Sequence, residues 1–490
     1  MLDHRRAGVL LHPTSLPGAF KQGDIGQEAR NFLHFMADSG LSVWQMLPIG
    51  PTHEDGSPYQ CLSAHAGNPE LINLDWLIEN QWLKQSELDN FYLGSSKNTL
   101  LETAAGRFFA QGSAQWLTRF NLFTEQNSDW LPDYALFMVL KKAHQNSAWM
   151  DWPEAIKSRD PAALAEAVER CAEAITTIEF IQFVFFTQWH ELREYAQKLD
   201  IKLFGDMPIF VSMDSADVWS RKDNFLMDAN GNCEFVAGVP PDAFSDLGQR
   251  WGNPLFNWDN MQAQGFSWWI SRFKTQLELF DFIRLDHFRG LEACWHIPAT
   301  SESAVHGHWE PSPGEKLLQR LHDHFHQLPL IAEDLGLITA PVRALRDQFN
   351  LPGMVILQFA FDAQNDNLYL PHNHHHNSVV YSGTHDNDTT LGWYQSLDIV
   401  AKTQCHEYLG HNPNGALDMP WAFNRLALSS VAQLAILPMQ DLLSLDSNHR
   451  MNTPGTMQGN WQWRFKWKQV WPGLATDLAK LVRLYGRHPD

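Results

Sequence analysis

The sequence predicts an α/β protein built as a parallel β/α barrel, and two observations carry this. Apolar runs of strand length alternate with stretches of helical periodicity, the pattern of a parallel sheet. Three of those runs end in acidic residues, Asp286, Glu333 and Asp386. Carboxylates at the ends of separate strands are what a barrel gathers at its C-terminal face.

The elements follow in order. Residues 8–11 form the first candidate strand. Residues 27–39 place Phe32, Phe35 and Met36 on one helical face, with Gly40 suited to the C′ position. Residues 41–47 read as a second strand stopped by Pro48. From 65 to 170 the sequence gives amphipathic helical stretches and no clear strand, so a mainly helical insertion is expected between strands two and three. Within it Asp160-Pro161 reads as N-cap and N1 of a helix. Residues 201–204 form a third strand that runs into Gly205-Asp206. Residues 212–265 read as a loop-rich insertion that carries an active-site lid. Strands four and five, 279–283 and 328–332, lead into Arg284-Leu285-Asp286-His287 and Glu333-Asp334. Strand six covers 354–358, strand seven 379–381 ahead of His385-Asp386, and strand eight 434–437 before Pro438. Helical stretches at 313–326 and 341–349 keep the alternation going. No strand-rich tail follows, so residues 1–490 are read as one barrel domain without a C-terminal β-sandwich.

Composition narrows the function. The chain has 490 residues, 44% of them hydrophobic, which is ample for one elaborated barrel. Its formal net charge of −20 argues against nucleic acid or an anionic membrane as a partner. Five scattered cysteines with no CxxC pair suit reduced thiols in a cytoplasm. No signal peptide or membrane span is legible. No GxGxxG, Walker or GxSxG motif is present, and no cofactor is predicted. No metal is expected either. The 228–239 stretch resembles a calcium loop but ends in Val239 rather than Glu, and His406 and His411 are five apart, not four. The histidine-rich run 372–376 reads as a solvated loop.

The three acidic positions suit glycosidic-bond chemistry. One carboxylate must attack the anomeric carbon and a second must protonate the leaving oxygen, with the pair about 5–5.5 Å apart in a retaining enzyme. Asp286 shares a strand face with Arg284, whose charge keeps a nucleophile ionised. Glu333 follows an apolar run, which raises the pKa of an acid. Asp386 is a third carboxylate able to grip ring hydroxyls, and His287 and His385 are suited to bind hydroxyls or developing charge. The many tryptophans and phenylalanines supply flat apolar faces for sugar rings.

Arg-Leu-Asp-His-Phe-Arg-Gly at 284–290, Ala-Glu-Asp-Leu-Gly at 332–336 and Gly-Thr-His-Asp-Asn-Asp at 383–388 resemble the 4-α-glucanotransferases, or amylomaltases, of the α-amylase superfamily. Further similarity lies at 12–18, 57–59, 205–211, 238–254 and 459–461. The resemblance implies a (β/α)8 barrel with insertions and a retaining double displacement. Asp286 would be the nucleophile, Glu333 the acid/base and Asp386 the transition-state stabiliser. Tyr59, Asp206, Arg284, His385 and Asn460 would contact sugar, and Trp251 would sit on the loop over the cleft. Many relatives have a tyrosine where this chain has Ala243, which puts an aromatic contact there in doubt. The expected reaction moves a segment of an α-1,4-glucan to the 4-hydroxyl of an acceptor. The rivals are an α-glucan hydrolase using the same residues and a non-catalytic glucan-binding protein. A cytoplasmic monomer or homodimer acting on malto-oligosaccharides is expected.

Overall fold

The computed structural model describes residues 4–91, 96–228, 230–241, 245–362, 364, 366–411, 418–456 and 458–489. In chain order its strands are β1 (Arg6–Leu10), β2 (Val43–Gln45), β3 (Lys202–Met207), β4 (Phe235–Val239), β5 (Gln249–Pro254), β6 (Phe282–Leu285), β7 (Ala293–Pro298), β8 (His308–Pro311), β9 (Leu330–Ala332), β10 (Gly353–Ile356), β11 (Ser378–Tyr381) and β12 (Leu434–Pro438). Eight of them form one sheet in the order β10-β11-β12-β1-β2-β3-β6-β9. Every pairing in it is parallel. These eight are the eight strands expected from the apolar runs, and the fold is a (β/α)8 barrel.

Both faces of these strands are covered, which is why they read as continuous apolar runs. Alternation still sorts them. Leu434 and Ile436 of β12 point with Phe204, Phe282 and Tyr381 into the barrel interior. Ala435 and Leu437 face the outer layer, with Val380, Ile283 and Leu203.

The ring closes without a ladder between β9 and β10. Ala332 N–H donates to the Pro352 carbonyl at 2.8 Å. Asp334 then stands in for a strand partner, its carboxylate accepting Met354 N–H at 2.8 Å. Arg346 pairs with the same carboxylate. A Cβ on Gly353 would push against the Asp334 carboxylate and the Arg346 guanidinium, so a larger residue would disturb this seam.

Between 65 and 170 the described residues form helices and turns, with no strand. Asp160 caps the helix Pro161–Arg170, accepting from Ala162 and Ala163 N–H. The layer packs by aromatic rings onto the helix Ala172–Lys198. Trp82 meets Phe108 at 4.8 Å, and Phe108 meets Phe180 at 4.8 Å.

One architectural feature departs from expectation. The stretch 212–265, expected as loop, contributes β4 and β5 to a second, antiparallel sheet of order β5-β4-β7-β8. Its strands carry little apolar alternation. β5 reads Gln-Arg-Trp-Gly-Asn-Pro, with Gly252 at φ 79°, and β8 is mostly exposed. The histidine-rich run also differs, because His374 is buried and bonded to Ser430 Oγ at 2.7 Å and the Tyr369 carbonyl at 2.8 Å. Ala243 lies outside the described residues.

After β12 the described residues form helices and turns. Arg487 is fully buried there. It donates to the carbonyls of Leu428 (2.7 Å), Arg6 (2.9 Å), Ser430 (2.8 Å) and Ala432 (2.8 Å). That fan ties β1 to the chain entering β12. Among the described residues, no helix is long and apolar enough to cross a membrane.

Candidate active site

The C-terminal ends of the barrel strands converge on one cluster of charge. Asp206 of β3 lies in register with Arg284 of β6. Arg284 Nη1 donates to both Asp206 oxygens at 2.8 Å, and also sits 2.9 Å from Asp286 Oδ1. Burial works against this guanidinium, but the two carboxylates override it and hold its pKa well above the ordinary value. The Asp206 side chain is 0% exposed and that of Asp286 is 27% exposed. Asp206 therefore lies below, while Asp286 opens to the cleft.

Glu333 arrives from β9. Its N–H donates to the Leu285 carbonyl at 3.1 Å, which extends the β6–β9 pairing past the strand end. Its Oε2 accepts the His287 N–H at 2.7 Å, and its Oε1 accepts the Leu335 N–H at 3.0 Å. His287 turns that N–H toward Glu333 by adopting a left-handed φ of 51°. The carboxyl of Glu333 thus touches the residue that follows Asp286. Burial pushes its pKa up to about 7, Arg284 opposes this and the Asp286 charge adds to it. Asp286 and Glu333, far apart in sequence, share one site.

The His287 ring is held down to about 4 by burial, against the nearby Asp286, so it is neutral at physiological pH. Its Nε2 is buried and has no hydrogen-bond partner. Trp251 packs edge-on to it at 4.8 Å and 88°.

Beside this cluster, Tyr59 Oη donates to Asp206 Oδ2 at 2.8 Å and meets His385 Nε2 at 2.9 Å. The Tyr59 and His385 rings stack at 5.3 Å. His385 Nε2 lies 3.3 Å from Asp386 Oδ1, and the Asp386 side chain is 46% exposed. A pocket flanks His385 and is lined in part by His12, Asn387, Asp388, Gln440 and Arg450. His12 is buried, and its Nδ1 has no partner.

The structure thus brings Asp286, Glu333, Asp386, Tyr59, Asp206, Arg284, His287, His385 and Trp251 together. Asn460 is placed differently. Its Oδ1 accepts Thr453 N–H at 2.9 Å and its Nδ2 donates to the Thr456 carbonyl at 2.9 Å, both within its own turn. Sequence reasoning missed two residues beside it. Asn452 Nδ2 donates to Asp386 Oδ1 at 2.7 Å, and Arg450 Nη2 donates to the Asp386 carbonyl at 3.0 Å. Both come from the segment after β12 that folds back over the barrel mouth, a return no local pattern announces. Among the described residues, no group of three His, Cys, Asp or Glu could hold a metal ion.

Such a constellation is two neighbouring carboxyls, one of them pushed up to about 7, with a cation fixing the other. It is equipped to break and remake a glycosidic bond. Comparison with known proteins agrees with that chemistry. A family profile described as 4-alpha-glucanotransferase matches residues 11–469. The 4-alpha-glucanotransferase of Thermus thermophilus is 48% identical over 490 residues, covering 98% of both chains. That of Synechocystis sp. is 46% identical over 501 residues, covering 99% of both. Among solved structures, the amylomaltase of Streptococcus agalactiae in complex with acarbose superposes with a TM-score of 0.94 at 35% identity, covering 99% of this chain and 100% of that one. With fold, strand-end charges and full-length similarity in agreement, the chain belongs to the 4-alpha-glucanotransferase family.

Proposed function

We propose that the protein transfers a segment of an α-1,4-glucan to the 4-hydroxyl of an acceptor glucose or glucan, with retention, through a glycosyl-aspartate. One observation carries the assignment of roles. Glu333, raised to about 7, hydrogen-bonds the residue beside Asp286, while Arg284 contacts Asp286.

Asp286, held by Arg284 at 2.9 Å, attacks the anomeric carbon. Glu333 gives its proton to the departing glycosidic oxygen, so the leaving chain carries a free 4-hydroxyl. Glu333, now ionised, takes the proton of an incoming 4-hydroxyl, whose oxygen displaces Asp286. Two inversions leave the α configuration unchanged. Asp386 stabilises the oxocarbenium-like transition state, with His385 against it. Tyr59, Arg284 and His385 hold the reacting ring, with Asp206 beneath them fixing Tyr59 and Arg284. The free Nε2 of neutral His287 takes a hydroxyl, and Trp251 offers an apolar face on the Glu333 side. The 212–265 segment acts as the lid that keeps water from competing with the acceptor.

We further propose one catalytic unit over the whole chain, with the 65–170 layer as an insertion. It works in the cytoplasm, as a monomer or homodimer, and unpaired cysteines support a reducing compartment.

Maltotriose as sole substrate tests the reading. A transferase yields glucose and longer chains with no net gain in reducing ends, whereas a steady gain identifies a hydrolase. Asp286→Asn removes the nucleophile and lowers turnover by several orders of magnitude, roughly 10³-fold or more. Near-normal turnover in that variant overturns the assignment.

A further inference from the structure

Trp461 carries a φ of 63°. A bulky aromatic residue in the left-handed region is an outlier, and such strain persists only where the surroundings impose it, most often at functional sites. The neighbouring Gly455 and Gly459 also have positive φ, at 80° and 82°. A third glycine would make this turn without strain, yet position 461 carries an indole.

The surroundings that impose the conformation are visible. Trp461 N–H donates to the Met451 carbonyl at 2.8 Å. Asn460 fastens the turn by bonding Thr453 at one end of its amide and Thr456 at the other. Held this way, the indole lies 5.9 Å from the Tyr59 ring and 6.1 Å from His385. Those two rings are already stacked; Tyr59 donates to Asp206, and His385 Nε2 lies 3.3 Å from Asp386. The same segment reaches the site again through Asn452, whose N–H donates to the His385 carbonyl at 3.2 Å.

We propose that Trp461 is a positioning residue for glucan transfer. Its strained backbone, locked by Asn460, presses a third ring against Tyr59 and His385 and fixes them, and through them Asp206 and Asp386, in the geometry the transition state needs. This rests on the transfer reading above. A displaced Tyr59–His385 pair still binds glucan but aligns it poorly, so the loss falls on kcat.

The test compares Trp461→Gly, Trp461→Phe and Asn460→Ala in the full chain, measuring kcat, KM and Tm for maltotriose disproportionation. Trp461→Gly removes the ring and keeps a backbone at ease with positive φ. Its kcat is expected to fall about 10- to 100-fold with KM changed less than about threefold, as for a misplaced rather than deleted contact. Trp461→Phe, which restores a ring, should recover to within about threefold of the parent, and Asn460→Ala should fall between them. An unchanged kcat in folded Trp461→Gly overturns the proposal. So does a loss confined to KM, or a Phe variant no better than the Gly variant. If Trp461→Gly does not fold, Asn460→Ala decides by the same split: a kcat loss upholds the proposal and an unchanged kcat overturns it. A parent enzyme that disproportionates nothing sinks the transfer reading and this inference together, whereas an active parent matched by its variants sinks only the inference.

Discussion

Replacing Glu333 by glutamine should change how stability depends on pH, by an amount the structure sets. Burial lifts this carboxyl from its ordinary 4.5 to about 7. The folded chain therefore holds the proton more tightly than the unfolded chain does. The resulting stabilisation is fully present below 4.5 and is lost as pH rises through 7. At ~1.4 kcal/mol per pH unit the full gap is a ceiling of ~3 kcal/mol, and Glu333 keeps some solvent contact, so ~2–3 kcal/mol is expected. Glutamine has nothing to titrate. It also cannot accept both the His287 and Leu335 N–H bonds, but that penalty is the same at every pH. Wild type minus variant should thus fall by ~2–3 kcal/mol between about pH 4.5 and 7 and then level off. For 490 residues the melting entropy is ~1 kcal/mol per degree, so the difference in Tm moves by ~2–3 °C. Paired calorimetric scans from pH 5 to 8.5 read it directly, because every other titrating group cancels in the subtraction. A difference that stays flat across that window refutes the claim that Glu333 is held protonated near neutrality.

The same carboxyl sets the rate profile. Because the acid must be protonated, kcat/KM for maltotriose should decline with an alkaline limb near pH 7, and a rate still rising at pH 9 would contradict this. Away from the site, Arg487→Ala removes four short hydrogen bonds to buried carbonyls, of which those of Leu428 and Ser430 keep Arg5 as a second donor. It should destabilise the fold by at least ~3 kcal/mol, seen as a Tm fall of several degrees without any change in KM.

How much of this was legible beforehand depended on whether a feature is local. Each of the eight barrel strands is buried on both faces, so each shows as an apolar run, and Asp286, Glu333 and Asp386 stand out just beyond three of them. Glu333 beside Asp286 follows from strand-end placement once β6 and β9 are neighbours. The antiparallel sheet was not legible, because half-exposed strands such as β8 carry no alternation to read. Asn452 and Arg450 were missed for another reason. Their hold on Asp386 comes from a segment that returns from β12 to the end of β11, and nothing in its sequence encodes that destination. Asn460 stood out by motif, yet its amide serves the turn that orients Trp461.

The seam between β9 and β10 gives the barrel a weak point with a definite address. Elsewhere the ring is held by shared ladders, but here one backbone bond and the Asp334 carboxylate bridge the gap. Heat that loosens Arg346 or Asp334 would part the staves there first. The neighbouring Glu333 would swing away from Asp286 while most of the molecule stayed folded. Activity would then fade below the melting temperature and return on cooling, with deuterium entering the Met354 amide ahead of its neighbours in β11.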